Sequence, residues 1–174
     1  MFLNTYLCDI DNEEKGAWLH FPVTIGDIQK ALYHAEISDY EYKFSAYESD
    51  IDSLTKHLTE YEDITNLSRH VEIVGAFTPY ERDKYQALLQ AKEINGIDGL
   101  IRYALAVNNY GLLPTVLTAE DLGRFNVAEN KNYAAPDTVK PYIKYQALGE
   151  KIQSDEGGYL TKFGYLLPKK ESED

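Results

Sequence analysis

The feature that most constrains the fold is the strict alternation of residue types between Tyr40 and Glu48. Every second position holds an aromatic or small apolar residue: Tyr40, Tyr42, Phe44 and Ala46. A period of two predicts a half-buried β-strand with these residues facing inward. The strand lies within an acidic stretch, residues 36–63, which carries nine carboxylates against two lysines. The sequence therefore predicts carboxylates held on folded structure and not in a disordered tail.

The residues before this strand predict a small α+β unit. Residues 2–8 form a short apolar strand, and residues 17–21 form a second strand that ends at Pro22. Thr24 and Asp27 have the spacing of a capping box, which predicts the start of a helix. Together with the acidic strand, these elements predict a ββαβ subdomain over residues 1–58.

The middle of the chain predicts a small helical bundle over residues 59–109. Thr59 with Glu62, and Thr78 with Glu81, match the capping-box pattern, and a third helix follows Gly96. Carboxylates in the first turn of the helix after Thr59 would be exposed and favoured by the helix dipole. The side chains expected there are those of Glu60, Glu62 and Asp63.

The last part, residues 110–174, again predicts mixed structure. One helix begins after Thr118, another begins at about Thr138, and a hairpin broken at Gly164 covers residues 159–167. The apolar side chains expected on the surface near this hairpin are those of Tyr159, Phe163, Tyr165 and Leu166. The fold class predicted for the whole chain is therefore α+β, in three small subdomains.

Charge restricts the partners of the chain. The chain has 17 basic and 29 acidic residues, a net charge of −12, of which −10 falls in residues 1–63. Such a surface repels nucleic acids and anionic membranes and attracts basic proteins. A single cysteine, Cys8, excludes an internal disulfide and fits a reducing compartment. With no apolar run of transmembrane length, the sequence predicts a soluble, cytoplasmic protein.

Catalytic motifs are missing from the sequence. The four histidines lack the spacing of a metal site and are expected to be exposed or half-buried. No glycine-rich phosphate loop and no nucleophile elbow occurs. The sequence therefore predicts no metal, no cofactor and no enzymatic activity.

The acidic stretch has two interpretations. Carboxylates can simply keep a small protein soluble. Alternatively, carboxylates on helices and strands, about 5–7 Å apart, can imitate the spaced charges of a DNA backbone. Their concentration in one third of the chain favours a partner-binding surface, supported from beneath by Trp18, Tyr42 and Phe44. The candidate residues are Asp9, Asp11, Glu13, Glu14, Asp39, Glu41, Glu48, Asp50, Asp52, Glu60, Glu62 and Asp63.

Several short motifs resemble those of a known family. They lie at residues 6–7, 16–22, 42–48, 121–125, 142–149 and 157–165. Their order and spacing resemble the ArdA antirestriction proteins, which are carried by plasmids and conjugative transposons. The resemblance covers nearly the whole chain.

The resemblance implies an elongated monomer in three parts and a homodimer. It also implies that the acidic surface mimics bent B-form DNA and blocks the DNA-binding groove of type I restriction-modification enzymes. Two alternatives stay open. The chain could mimic DNA against another nucleic-acid-targeting defence enzyme, or it could be an acidic adaptor for a basic protein. Duplex DNA would displace a mimic from its target but need not displace an adaptor.

Overall fold

The structure, a computed structural model, describes residues 1–37, 41–130 and 133–169. The chain divides into two compact units, Met1–Ala106 and Val107–Asp174. Both combine helices with a small antiparallel sheet, which confirms the predicted α+β class. The boundary predicted near residue 58 lies inside the first unit and stays a prediction.

In its described residues, the first unit joins a three-stranded sheet to four α-helices. Its elements in chain order are β1 (Leu3–Asp9), β2 (Gly16–Phe21), α1 (Ile25–His34), β3 (Tyr42–Ser49), α2 (Ile64–Gly75), α3 (Pro79–Ala91) and α4 (Gly96–Leu105). The strand order is β2-β1-β3, and both pairings are antiparallel. Helix α1 packs against β2, and α2 packs against α4. The predicted ββαβ order and three following helices are confirmed.

One face of this sheet is buried and the other is open. The side chains of the buried face are those of Leu3, Thr5, Leu7, Leu19, Phe21 and Phe44. An extra residue in β3 shifts the register between Tyr6 and Leu7, which pair with Ala46 and Phe44. Because of this bulge, Ala46 shares the open face with Tyr6. The inward placement predicted for Ala46 is therefore wrong, and Tyr40 lies outside the described residues.

Capping boxes set the starts of three helices. In each, a threonine hydroxyl accepts a hydrogen bond from the backbone N–H three residues later, and that residue's carboxylate accepts one from the threonine N–H. The pairs are Thr24 with Asp27, Thr78 with Glu81, and Thr118 with Asp121. These hydrogen bonds lower the pKa of Asp27 and Asp121 below the usual range for aspartate. The helix starts predicted at these three threonines are confirmed, whereas the one predicted at Thr59 is not.

The second unit builds a smaller sheet against two helices. Its elements are β4 (Tyr110–Leu113), α5 (Ala119–Glu129), α6 (Tyr145–Glu156), β5 (Tyr159–Thr161) and β6 (Gly164–Pro168), with strand order β4-β6-β5. The hairpin of β5 and β6 is confirmed, and β4 was not predicted. The helix expected from about Thr138 begins instead at Tyr145. A short 3-10 helix, Lys140–Tyr142, precedes it and ends at the extended residue Ile143.

The prediction of exposed apolar side chains on the C-terminal hairpin is wrong. Tyr165 and Leu166 are fully buried, and Tyr165 belongs to the core of the second unit with Val116, Leu122 and Ile152. Tyr159 and Phe163 are only half-exposed. The Tyr165 hydroxyl donates a hydrogen bond to the carboxylate of Glu156 at 3.1 Å. The hairpin therefore offers no apolar surface of the kind expected from the sequence.

His70 is an exception to the expectation for the histidines. It lies in α2, is fully buried, and has its Nε2 atom 2.7 Å from the Tyr85 hydroxyl. Its Nδ1 atom has no hydrogen-bond partner among the described residues. Burial lowers the pKa of His70 to about 4, because the charged ring would lose its hydration.

This buried histidine predicts a pH-dependent stability. Below a pH of about 6.5 His70 takes up a proton in the unfolded chain, whereas in the folded chain it does so only near pH 4. The free energy of unfolding therefore decreases as the pH is lowered from about 6.5 to 4. At pH 4.5 the loss is about 2–3 kcal/mol. A His70→Gln variant is expected to lack this contribution. Urea unfolding of both proteins at pH 7 and 4.5 measures it, and an equal fall in the two proteins would contradict it.

Candidate partner-binding acidic surface

The register of the first sheet sorts the candidate carboxylates into two groups. Asp9 lies opposite Tyr42, and Leu3 lies opposite Ser49. The turn between β1 and β2 therefore meets the start of β3 at one end of the sheet, while the end of β3 lies at the other. The two ends are about 20 Å apart along β1. One group comprises Asp9, Asp11, Glu13, Glu14 and Glu41; the other comprises Glu48, Asp50 and Asp52.

The turn between β1 and β2 holds the first group in place. The Asp9 carboxylate accepts hydrogen bonds from the backbone N–H groups of Asp11 at 2.8 Å and Asn12 at 3.0 Å. Such a side-chain turn fixes the loop without using sheet hydrogen bonds. Glu13 forms an ion pair with Lys43 at 2.6 Å. Asp11 and Glu14 remain exposed on the fixed loop.

Asp50 ties the other end of the sheet to helix α3. Its carboxylate accepts a hydrogen bond from the Phe2 N–H at 2.8 Å and pairs with Arg82 at 2.7 Å. Partial burial acts to raise the pKa of Asp50, but the hydrogen bonds from Arg82 and Phe2 outweigh it and lower the pKa. The neighbouring Asp52 carboxylate accepts a hydrogen bond from Gln90 at 3.3 Å. Both carboxylates therefore have structural partners as well as exposure.

The segment from Thr59 to Asp63 lies along the edge of β3. The Phe44 N–H donates to the Glu60 carbonyl at 2.8 Å, and the Tyr47 hydroxyl donates to the Thr59 carbonyl at 2.6 Å. Asp63 and Tyr42 line one surface pocket, at the strand end that faces Asp9. Burial and the charge of Asp63 raise the pKa of Tyr42. The Glu60 and Asp63 side chains are exposed.

The helix start predicted at Thr59 is wrong. Helix α2 begins at Ile64, and its N-cap is Asp63, whose carboxylate accepts the Asn66 N–H at 2.7 Å. The Glu62 carboxylate does accept the Thr59 N–H, at 2.7 Å, as a capping box requires. Its other oxygen accepts the Ile97 N–H at 2.9 Å, at the start of α4. The Thr59 hydroxyl accepts the Tyr61 N–H at 3.4 Å, and not the Glu62 N–H that a capping box requires.

Glu62 is therefore a buried residue and not the exposed one that was predicted. It is 9% exposed, and both of its oxygens bind backbone N–H groups. A buried carboxylate satisfied in this way stabilises the packing of its segment and cannot also contact a partner. The Thr59-to-Glu62 spacing could have revealed the first bond, but no local pattern reveals the second.

The remaining candidates define what we call the acidic surface. Asp39 lies outside the described residues, and Glu62 is left out because it is buried. Glu13 and Asp50 of this set form ion pairs, with Lys43 and Arg82. The first unit has 19 acidic and 9 basic residues, a net charge of −10. The acidic surface comprises Asp9, Asp11, Glu13, Glu14, Glu41, Glu48, Asp50, Asp52, Glu60 and Asp63.

The open face of the sheet contains functional candidates that the sequence did not suggest. Trp18 was expected beneath the surface, but its side chain is 42% exposed. It packs edge to face on Tyr6, with ring centroids 5.5 Å apart. Strand periodicity could have revealed this placement, because Leu19 and Phe21 point inward and Trp18 therefore points outward.

Neither a metal site nor a membrane span is found in the part of the chain that the structure describes. No cluster of three or more potential metal ligands occurs among these residues. None of their helices is both long and apolar enough to cross a bilayer. The geometry that remains is a folded display of carboxylates at two ends of one sheet.

Comparison with models of known protein families identifies the family of this chain. The family model described as "Antirestriction protein (ArdA)" matches residues 11–167. The chain belongs to the ArdA antirestriction family. This membership confirms the resemblance drawn from the motifs and implies an antirestriction function, with restriction enzymes as the kind of partner. No curated protein matches the chain.

Two of the motifs that resemble ArdA have a structural reason in the second unit. Gly123 in α5 and Gly149 in α6 lie where these helices meet. A Cβ atom on Gly149 would overlap the carbonyl of Ala119, and one on Gly123 would overlap the carbonyl of Tyr145. These ArdA motifs therefore permit close helix packing, and they contribute no carboxylate to the acidic surface.

Proposed function

We propose that the chain is a non-enzymatic inhibitor that blocks type I restriction-modification enzymes by mimicking DNA. Membership of the ArdA family is the observation that carries this proposal. The acidic surface supplies the physical means, because its carboxylates are held on strands, a closed turn and a helix cap. The inhibitor works in the cytoplasm, where restriction enzymes meet incoming DNA.

The physical basis of the mimicry is electrostatic. Proteins that bind DNA obtain much of their affinity from its phosphates, which they meet as regularly spaced negative charges. The acidic surface presents its carboxylates in groups at the two ends of one sheet, about 20 Å apart along β1, and these groups stand in for separated phosphates. Carboxylates fixed in this way cost less entropy on binding than a flexible acidic tail would.

Inhibition of a purified type I enzyme tests this proposal directly. DNA cleavage by the type I enzyme is expected to stop at stoichiometric amounts of the chain. A type II restriction enzyme, assayed on the same DNA, serves as the control and is expected to be unaffected. Unimpaired type I cleavage would contradict the proposed target, and inhibition of another DNA-targeting enzyme would support mimicry with a different target.

We also propose that the chain forms a homodimer, as the family resemblance implies. A two-fold dimer would present the acidic surface twice on one particle. The buried Tyr165 and Leu166 side chains give no support to a dimer through the C-terminal hairpin. Light scattering is expected to give twice the chain mass of 19.9 kDa at tens of micromolar protein. A monomer mass under those conditions would contradict the proposal.

A further inference from the structure

The open face of the first sheet carries an ordered set of aromatic and polar side chains. Tyr6 lies between Trp18 of β2 and Ala46 of β3 in one row. Asn4 lies between His20 and Glu48 in the adjacent row. Residues two apart on a strand point to the same face, so the six side chains share one surface. None of the six is buried.

Hydrogen bonds and ring packing hold this surface rigid. The His20 Nδ1 atom lies 2.8 Å from the Asn4 side-chain oxygen, and the Asn4 amide donates to Glu48 at 3.4 Å. Trp18 and Tyr6 are fixed against each other by their edge-to-face contact. The Tyr6 ring lies against Gly16, where an added Cβ atom would overlap it, and the Tyr6 side chain is half-exposed.

The negative charge of Glu48 favours a positively charged group as the ligand of this face. Glu48 is exposed and forms no ion pair with a described residue. Lys43 lies in the next row of the same face, opposite Cys8, and its ammonium group forms an ion pair with Glu13. Glu48 is the diagonal neighbour of Tyr6, at about 7–8 Å between Cα atoms. A guanidinium group stacked on Tyr6 and Trp18 could therefore also pair with the Glu48 carboxylate. Arginine is the side chain that combines aromatic stacking with carboxylate pairing.

We infer that this open face, built on Trp18, Tyr6 and Glu48, binds an arginine side chain of the protein partner. The inference rests on the proposed function, because enzymes that bind DNA present arginines to its phosphates. It adds an aromatic contact to a surface that otherwise acts by charge alone. Tryptophan, tyrosine and arginine are also the residues that most often dominate the affinity of protein interfaces.

An arginine peptide tests the site independently of any restriction enzyme. Trp18 is the only tryptophan, so its indole N–H gives a single resonance in a nitrogen-15 spectrum of the full chain. Titration with deca-arginine is expected to shift this resonance to saturation, and deca-lysine is expected to shift it less. Trp18→Leu is expected to weaken deca-arginine binding about three- to thirty-fold. Glu48→Gln is also expected to weaken it, and Trp18→Phe is expected to retain part of the affinity.

Tyr33→Leu is the matched control, since Tyr33 is 82% exposed on α1, away from this face. Its affinity for deca-arginine is expected to equal that of the wild type, and circular dichroism checks the folding of every variant. An unshifted indole resonance while other amides saturate would overturn the inference. Equal affinities of the wild type, Trp18→Phe and Trp18→Leu for deca-arginine would also overturn it. An indole shift on raising protein concentration alone would instead assign the face to a second copy of the chain.

The same variants then separate this site from the proposed function. Trp18→Leu is expected to bind a purified type I enzyme about three- to thirty-fold more weakly than wild type and Tyr33→Leu. If the wild-type chain bound deca-arginine at Trp18 but did not bind the enzyme, the arginine site would stand and the proposed target would fail. If the enzyme bound Trp18→Leu and wild type equally, the arginine site would have no role in that complex and the inference would fail.

Discussion

Neutralising five exposed carboxylates of the acidic surface together is expected to weaken binding to the restriction enzyme by about one to three decades. Each exposed ion pair contributes little, so single substitutions are expected to be nearly silent. The salt dependence of binding is also expected to become shallower, because fewer charges are engaged. The substitutions are Asp11→Asn, Glu14→Gln, Glu41→Gln, Glu60→Gln and Asp63→Asn.

These five residues are chosen because their loss should not disturb the fold. All are exposed, and none forms an ion pair with a described residue. Asparagine at position 63 can still cap α2, since asparagine is as good an N-cap as aspartate. Glu62 and Asp50 are avoided because their carboxylates hold backbone groups and Arg82.

A second variant with the same change in net charge provides the control. It carries five substitutions of Asn or Gln for exposed carboxylates outside the acidic surface. Its affinity for the enzyme is expected to stay close to that of the wild type. Titrations of all three proteins against the enzyme at several salt concentrations give the comparison. Equal affinities for the two variants would mean that only bulk charge matters. The control positions are Glu72, Glu93, Glu129, Glu150 and Asp155.

Substitution of Gly149 by alanine is expected to cost the second unit about 3 kcal/mol of stability. The added methyl group would overlap the Ala119 carbonyl, so α5 and α6 would have to separate. Gly75→Ala is the control, because nothing lies within 4 Å of the position of its Cβ atom. Alanine is the better helix former, so this control is expected to gain up to about 1 kcal/mol. Urea unfolding measures both, and a Gly149→Ala protein as stable as wild type would contradict the packing argument.

The sequence revealed most where structure is decided locally. Three capping boxes and the C-terminal hairpin were predicted, because their signals lie within a few residues of one another. The acidic strand was also predicted, since its period of two is a local property. Its inward side chains were partly misplaced, because the bulge opposite Tyr6 depends on pairing with β1.

The failures concern residues whose roles are set by distant parts of the chain. The Thr59 box did not start a helix, and Glu62 is buried where it also binds the Ile97 N–H, 35 residues away. Tyr165 is buried because it joins the core beside Leu122 and Ile152. Composition and spacing carry no information on such contacts.

The sequence predicted which residue types form the candidate site but not where their side chains lie. The sequence identified the acidic third of the chain, and antiparallel pairing then placed its carboxylates at two ends of one sheet. The partnership of Asp50 with Arg82 and the open position of Trp18 both follow from the tertiary fold. Neither could be read from the local sequence.

Competition with duplex DNA for a purified type I restriction-modification enzyme tests the central claim most directly. The measurement is the anisotropy of labelled DNA bound to the enzyme, titrated with the chain at several concentrations of DNA. The account predicts complete displacement of the DNA, with an apparent affinity that weakens in proportion to the DNA concentration. A complex that holds the chain and the DNA together, or an apparent affinity independent of the DNA concentration, would contradict mimicry.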